Sequence, residues 1–380
     1  MRSSWRVATV FGIDVRLHVT FVLVLVLGAW PWLVWGPSGA LFGAVMSLAV
    51  FACIALHELG HSLVAKAFGI PVTDITLTPI GGVAVLKDKP KTPTQEWLIA
   101  IAGPAVNVVL AGLFAGLGSW LEGLPGLVDA ARSFGHEAPR AEHIWVMLVF
   151  ANVTLALFNM LPALPMDGGR VLRAFLSYVF DAERATRIAA VVARVVAIGF
   201  VAAWLFADGA SPMLPFIALV VYVGAGAEVR EAKLTRVLAQ IAAGDVVSPY
   251  APRFEPGSTL GQAVLVLQVS PLPVFAVEQA GRFVGVVLAD ELLDAVRQGG
   301  PFGFVSSLLR REVPVVQASD SLDVARSKLL RGGVRAAAVV RQGRFLGLVT
   351  EVELARAMEV SDRLEAQPAR PGFLERVDRS

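Results

Sequence analysis

Residues 55–66 read ALHELGHSLVAK, so two histidines and a glutamate follow a long apolar stretch. His57 and His61 are four residues apart, and on a helix they lie one turn apart on the same face, where two imidazoles can bind one metal ion. Glu58 points close to the same side and can accept a proton from a metal-bound water. This spacing predicts part of a hydrolytic zinc centre that needs a third ligand.

A third ligand is found in residues 158–170, FNMLPALPMDGGR. Pro162 and Pro165 break a charge-free helix shortly before Asp167, and the two glycines that follow let the backbone come close to whatever Asp167 binds. Two histidines and one carboxylate leave the fourth position of a tetrahedral zinc open for water, as catalysis requires. We therefore predict that His57, His61 and Asp167 bind one Zn²⁺ per chain.

The chain around these residues is apolar enough for a lipid bilayer. Of its 380 residues 56% are hydrophobic and 17% are charged, and the mean hydropathy is +0.66. Residues 19–56 contain no charged residue or histidine, enough for two membrane crossings with a turn at 36–39. Further apolar windows lie at 98–121, 144–166, 188–207 and 209–227. Residues 1–228 are predicted to form an α-helical integral membrane domain of about six transmembrane helices.

Basic residues indicate the orientation of these helices. They concentrate before the first span, between spans two and three, between spans four and five, and after span six, for example at Arg6, Lys66, Arg170 and Arg230. The positive-inside rule then predicts that both termini are cytoplasmic in a cell membrane. The net charge of only +2 leaves no basic patch for nucleic acid. The single cysteine, Cys53, excludes an internal disulfide.

A soluble part is predicted beyond residue 228. Residues 229–257 include a segment rich in Pro, Gly and Ser, which is typical of a linker. Two similar stretches follow, GRFVGVVLADELLDAV at 281–296 and GRFLGLVTEVELARAM at 343–358. Each predicts strand, turn, strand and helix. We expect a tandem α/β module over 258–360 and a polar tail over 361–380.

The chain from roughly residue 10 to residue 225 resembles the site-2 proteases, zinc metalloproteases that cut within membranes. The shared motifs are HELGH at 57–61 and Asn-x-x-Pro-x-x-Pro-x-Asp-Gly-Gly at 159–169, with LTPIGGVAVL and AGPAVNVVLA as further family features. The resemblance implies that His57, His61 and Asp167 hold zinc, that Glu58 is the general base, and that Asn159 helps to stabilise the oxyanion.

The repeated module resembles a tandem pair of CBS domains, which often bind adenine nucleotides and commonly dimerise. The family pattern Gly-x-x-Thr/Ser-x-x-Asp corresponds to Leu288 and Glu291 in the first copy and to Thr350 and Glu353 in the second. The first copy lacks the hydroxyl, and glutamate replaces aspartate in both. Two roles of the module are open. Thr350 and Glu353 bind an adenine nucleotide, or the module has no ligand and is purely structural or forms a homodimer.

The segment TLTPIGGVAVL, residues 76–86, has two interpretations. A substrate transmembrane helix hides its carbonyls in its own hydrogen bonds, so it must unwind, and an extended edge strand can receive the freed backbone. Gly81, Gly82 and Val83 are then candidate substrate contacts. The alternative is an ordinary hairpin between spans two and three, because glycines also suit a turn.

Other polar residues of the helices are interpreted as packing. Cys53 shares a helix face with His57 but is expected to pack, and Asn107 is expected at a helix–helix seam. Asn152 is explained by helix–helix hydrogen bonding or by substrate contact, of which the first is favoured. The whole pattern predicts an intramembrane zinc endopeptidase that cuts transmembrane or membrane-proximal segments of membrane-anchored proteins. A CBS-regulated transporter or channel, and a scaffold that binds without cutting, are alternatives. The zinc-ligand spacing and the lack of an obvious inverted repeat disfavour the transporter.

Overall fold

A computed structural model describes residues 4–79, 81–86, 89–134, 137–247, 252–270, 272–331 and 336–366. The chain divides into two compact units, Met1–Arg230 and Glu231–Ser380. Each unit has its own sheet and helices.

The first unit combines long apolar helices with one four-stranded sheet. Its elements are β1 Ser4–Val10, β2 Ile13–His18, α1 Phe21–Ala29, a 3₁₀ helix Trp30–Trp35, α2 Gly36–Ala67, β3 Val72–Thr78, β4 Gly81–Leu86, α3 Pro93–Ser133, α4 Glu142–Asn159, α5 Asp167–Leu176, α6 Ala182–Phe206 and α7 Met213–Ala239, which runs past the unit boundary. Within the described residues, five helical segments are long and apolar enough to cross a membrane: Phe21–Ala67, Pro93–Ser133, Glu142–Asn159, Ala182–Phe206 and Met213–Ala239.

The first of these segments folds back on itself. The Phe21 and Phe51 rings meet edge to face with their centroids 5.0 Å apart, and Gly28 lies against Ser47, so α1 and α2 are antiparallel. The predicted turn at 36–39 is placed too late. The chain reverses through the 3₁₀ helix and Gly36, whose φ of 73° favours glycine, and Pro37 then occupies the first turn of α2. The α1 arm has only 9 residues, fewer than the about 20 of a full crossing.

The sheet packs against the part of α2 that carries the histidines. Its strand order is β1-β2-β3-β4, with β2 parallel to β3 and the other pairs antiparallel. Ile13, Ile75 and Leu77 from the strands form a buried core with Leu59 of α2 and Ile99 of α3. Strand β4 is an edge strand, so one side of its backbone lacks a partner strand among the described residues.

Helix α5, which begins with Asp167, is held by an ion network at its other end. Arg173 donates from Nε to Glu96 Oε1 of α3 at 2.6 Å and from Nη1 to Glu228 Oε2 of α7 at 2.7 Å. The Arg173 side chain is only 20% exposed. Burial by itself would lower the pKa of the guanidinium, but the two carboxylates outweigh it and raise the pKa above its usual value. One arginine thus joins three helices behind the site.

Replacing Arg173 by methionine is expected to destabilise the protein by about 2 kcal/mol. The reason is that two partly buried carboxylates lose their counter-ion. Removing one partner of a fully buried ion pair costs about 3–5 kcal/mol, and the cost is smaller here because these side chains are partly solvated. Thermal unfolding in detergent measures the change. The matched control is Arg184→Met, because the Arg184 side chain is 74% exposed in its pair with Asp181 and is worth roughly 0.5 kcal/mol. Equal shifts for both variants would contradict the prediction.

The second unit contains two copies of a small α/β fold, as the repeat predicts. Its elements are α8 Ala243–Val246, β5 Arg253–Phe254, α9 Leu260–Val269, β6 Val274–Gln279, β7 Arg282–Leu288, α10 Ala289–Gly299, a 3₁₀ helix Val305–Leu308, β8 Val315–Gln317, α11 Leu322–Arg331, β9 Ala336–Arg341, β10 Arg344–Thr350 and α12 Glu351–Ala366. The sheets are β5-β6-β7 and β10-β9-β8. Phe283 and Phe345, at equivalent repeat positions, contact each other between the copies, with ring centroids 5.0 Å apart and ring planes inclined by 30°.

The segment predicted as a linker, 229–257, is largely structured. Leu238 and Ala243 are fully buried in the core of the second copy, and Leu234 packs against them. The composition of the segment did not reveal these apolar anchors because the Pro- and Gly-rich stretch lies only in its later part. The predicted tail, 361–380, begins inside α12, and residues 367–380 lie outside the described residues.

Candidate active site

The three predicted metal ligands converge on one point inside the first unit. Helix α2 places His57 Nε2 and His61 Nε2 3.0 Å apart, and Asp167 Oδ2 lies 3.2 Å from each. All three residues are buried, at 5%, 7% and 7% exposure. Among the described residues, they form the one group of three or more His, Cys, Asp or Glu side chains that could bind a single metal ion.

The hydrogen bonds made by Nδ1 of each histidine indicate that the Nε2 atoms, which face the site, are unprotonated and carry lone pairs. His57 Nδ1 lies 2.5 Å from Asn107 Oδ1, and His61 Nδ1 lies 2.7 Å from the Ile99 carbonyl oxygen. Since both partner oxygens accept, each neutral ring carries its proton on Nδ1 and turns an unprotonated Nε2 inward. Two nitrogen lone pairs and a carboxylate oxygen then face one another, an arrangement that a cation between them relieves. The donor set therefore fits Zn²⁺.

Helix α3 leaves space beside the two histidines because residue 103 is glycine. A Cβ atom on Gly103 would lie 2.3 Å from His61 Nε2 and 2.6 Å from His57 Nε2. A methyl group would therefore occupy the place where the ligand atoms point. No role of Gly103 in the site could be predicted from its position in the AGPAVN stretch, since its contacts are with histidines more than forty positions earlier in the sequence.

The glycines after Asp167 act differently from the prediction. A Cβ on Gly168 would lie 2.3 Å from the carbonyl oxygens of Met160 and Leu161, and one on Gly169 would lie 2.3 Å from the Leu164 nitrogen. The start of α5 thus packs against the loop that follows α4. The glycines position Asp167 through this backbone packing, and their close contacts are with the protein rather than with a ligand.

Glu58, the predicted general base, lies against strand β4. It is half-buried on α2, and a Cβ on Gly82 would lie 2.4 Å from Glu58 Cγ. Gly81, Gly82 and Val83 do form a hairpin strand, with Gly82 opposite Leu77 and Val83 opposite Thr76 of β3. The Val83 side chain lies outside the described residues. The hairpin interpretation is therefore confirmed at backbone level, and the same strand borders Glu58. Contact of this strand with the substrate stays a prediction.

Gly82→Ala is expected to lower peptidase turnover by about 100-fold while leaving zinc bound. The new methyl group pushes Glu58 aside, and a displacement of roughly 1 Å at a catalytic group costs that much. Turnover and zinc content of the purified variant measure the two effects separately. Gly199→Ala in α6 is the control, since a Cβ there meets nothing within 4 Å. Full activity of the Gly82 variant would contradict the prediction.

The remaining predicted site residues have partners within the protein. Asn159 is the last residue of α4, and its Nδ2 donates to the Leu155 carbonyl oxygen at 3.0 Å. In the second unit, Glu353 Oε2 accepts from the Thr350 backbone N–H at 2.9 Å and from its hydroxyl at 2.5 Å, which caps α12. Glu291, at the equivalent position of the first repeat, pairs with Arg310.

Comparison with known proteins agrees with this site. The profile of Peptidase family M50 matches residues 45–203, and that of the CBS domain matches residues 305–360. A zinc metalloprotease of Methanocaldococcus jannaschii is 28% identical over 372 residues, which cover 96% of this chain and 99% of that protein. The solved site-2 protease from Methanocaldococcus jannaschii is 34% identical, covering 60% of this chain and 95% of that one with a TM-score of 0.42. The chain therefore belongs to the site-2 protease family and is a membrane zinc metalloprotease of Peptidase family M50 with a C-terminal CBS domain.

Proposed function

We propose that this metalloprotease is an intramembrane endopeptidase that cuts transmembrane or membrane-proximal segments of membrane-anchored proteins. The observation that carries the proposal is the buried triad of His57, His61 and Asp167 beside Glu58, with both histidines on a helix apolar enough to cross a membrane. Membership of a metalloprotease family disfavours the transporter and the non-cutting scaffold.

The residues of the site have distinct tasks in peptide hydrolysis. Held by His57, His61 and Asp167, a zinc ion would supply Lewis acidity, which would lower the pKa of the attacking water to about 7 and polarise the substrate carbonyl. Glu58 accepts the water proton and returns it to the leaving amine. The Asn159 amide, released from the Leu155 carbonyl, donates to the oxyanion that develops. His57 and His61 keep their Nδ1 protons throughout, because Asn107 and Ile99 hold them.

Strand β4 provides a place for the substrate backbone. A transmembrane helix that unwinds near the site exposes N–H and C=O groups that cannot stay unpaired in lipid. The outer edge of β4 offers the complementary groups, and Gly82 holds this edge against Glu58. Pairing along Gly81, Gly82 and Val83 would bring the scissile bond next to the base.

We propose further that the site opens toward the cytoplasm. The end of α2 that carries His57 and His61 also carries Lys66 in its last turn, and Arg170, Arg173 and Arg184 follow Asp167 in the sequence. Acidic residues lie toward the C-terminal end of α3, in the connection that follows it and at the start of α4, namely Glu122, Glu137 and Glu142. The positive-inside rule assigns the basic end, both termini and the CBS unit to the cytoplasm. Accessibility of single cysteines at residues 66 and 137 to a membrane-impermeant reagent tests this assignment.

The CBS unit is proposed to regulate the protease through an adenine nucleotide, and to dimerise. The Thr350 hydroxyl and the Glu353 carboxylate are the groups available for a ribose in the second repeat. They are bonded to each other, so a nucleotide must displace that contact. Calorimetric titration of the full chain with ATP and AMP, compared with Thr350→Val, tests the binding, and sedimentation in detergent tests the dimer.

The enzymatic proposal is tested by co-expressing the protein with a panel of single-span membrane proteins. Wild type is compared with Glu58→Ala, and zinc is measured in both purified proteins. Cleavage by wild type alone, with zinc retained in both, is the expected result. Cleavage by neither protein, with no bound zinc, would refute the proposal.

A further inference from the structure

We propose that Asn107 and Asn152 are positioning residues that fix the tautomer of His57 and thereby set the affinity of the site for zinc. The proposal rests on His57 being a zinc ligand. The expected helix–helix contacts of the two asparagines are present, and the proposal adds a role in the site, because Asn107 also bonds directly to His57.

A continuous chain of hydrogen bonds runs from His57 of α2 through one asparagine of α3 and one of α4, and returns to α2. Asn107 of α3 accepts from His57 Nδ1 at 2.5 Å and donates from Nδ2 to Asn152 Oδ1 of α4 at 2.8 Å. Asn152 Nδ2 donates to the Leu148 carbonyl oxygen at 2.8 Å and to Cys53 Sγ of α2 at 3.3 Å. Both asparagines are 0% exposed, so water cannot replace a missing partner.

The direction of every bond in this chain follows from one backbone carbonyl. The Leu148 oxygen only accepts, so the NH₂ group of Asn152 must face it and the Asn152 oxygen must face Asn107. The Asn107 NH₂ group then points to Asn152 and its oxygen points to His57. Because that oxygen also only accepts, His57 must carry its proton on Nδ1. Its Nε2 is left unprotonated toward Asp167, as a metal ligand requires.

The two histidines are held by different means. His61 Nδ1 donates to the Ile99 carbonyl, a backbone group that side-chain substitution does not remove. His57 depends on two side chains, so its tautomer can be changed by mutation. If the Asn107 amide rotates, its NH₂ group faces Nδ1, the proton moves to Nε2, and the ring no longer offers a lone pair to the metal. A packing role alone would affect folding stability and leave the metal affinity unchanged.

The test compares four variants of the full-length protein in detergent. Asn107→Leu removes the acceptor, Asn107→Asp keeps an acceptor for His57, Asn152→Leu removes the group that orients Asn107, and Ser62→Ala is the control. Ser62 is 1% exposed, next to His61, and its Oγ has no hydrogen-bond partner. Zinc affinity is measured by competition with a chromogenic chelator, and the ligand geometry by the visible spectrum of the cobalt-loaded protein.

Asn107→Leu is expected to lower zinc affinity by about 10- to 100-fold and to change the cobalt spectrum, as loss of an outer partner of a ligating histidine does. Asn152→Leu is expected to lower it by about 10-fold, the lower end of that range. Asn107→Asp and Ser62→Ala should keep affinity and spectrum near those of wild type. Equal zinc affinity in all four variants would overturn the proposal, and failure of wild type to bind zinc would instead refute the proposed site.

A second measurement does not depend on how the variants fold. ¹⁵N chemical shifts of the histidines in metal-free wild type report which ring nitrogen is protonated. The proposal predicts a protonated Nδ1 and an unprotonated Nε2 for His57. The reverse tautomer in the folded protein would overturn it.

Discussion

Gly103→Ala is expected to lower zinc affinity by more than about 100-fold, a larger effect than loss of an outer hydrogen bond to a ligand. The added methyl group would lie 2.3 Å from His61 Nε2 and 2.6 Å from His57 Nε2, inside the space onto which the ligand atoms converge. The histidines must move apart, and peptidase activity is lost with the metal. The loss is measured in two ways, as zinc content by elemental mass spectrometry and as zinc affinity by chelator competition.

The control for this prediction lies on the same helix. Gly112→Ala in α3 adds the same methyl group where nothing lies within 4 Å, so zinc affinity and activity should match wild type. Overpacking at Gly103 can also cost about 1–3 kcal/mol of stability. Unfolding temperatures of both variants therefore accompany the metal measurement. A Gly103 variant that binds zinc as tightly as wild type would show that the ion does not lie among these ligands.

Asp167→Asn is expected to weaken zinc binding by on the order of 100-fold or more, since each ligand of a tight protein zinc site contributes roughly 3 kcal/mol. The metal-free protein should behave differently. There the Asp167 oxygen faces two unprotonated nitrogens at 3.2 Å, so a neutral amide that can donate to them should leave the unfolding temperature unchanged or raise it. Chelator competition and thermal unfolding in EDTA measure the two effects.

The opposite outcome would identify a structural ion pair. If His57 and His61 were charged partners of Asp167, removing the carboxylate would destabilise the metal-free protein by about 3–5 kcal/mol. A large fall in the unfolding temperature of the EDTA-treated variant, with zinc binding unchanged, would contradict the metal site. Asp181→Asn is the control, because Asp181 caps α6 through Arg184 N–H and lies outside the triad.

Asp167 was predicted as the third ligand from the donor set that a catalytic zinc requires, and the structure places it beside the two histidines. The histidine pair was predicted because its logic is local, since His57 and His61 are one turn apart on one helix. The repeat in the second unit was visible for the same reason. The membrane character followed from composition, and family membership confirms both the metalloprotease and the CBS assignments.

The features that the sequence missed depend on contacts between distant residues. Gly103 and Asn107 act on histidines of another helix, and an asparagine in an apolar helix looks the same whether it packs or orients a ligand. The turn before α2 was placed too late because both the WPWLVW stretch and the GPSG stretch contain turn residues. The linker prediction weighed Pro and Gly above the apolar anchors Leu234 and Leu238, which are recognised only in the folded core.

The most direct test of the account is cleavage by purified protein in liposomes that also contain a single-span substrate. The zinc-free enzyme is prepared with a chelator, and zinc is then added back at one equivalent per chain to wild type and to Glu58→Gln. We expect no cleavage without zinc, recovery in wild type at one equivalent, and a rate lower by about 10²–10⁴ in the Glu58 variant with zinc bound. Cleavage that continues without zinc, or that is unaffected by Glu58→Gln, would contradict it.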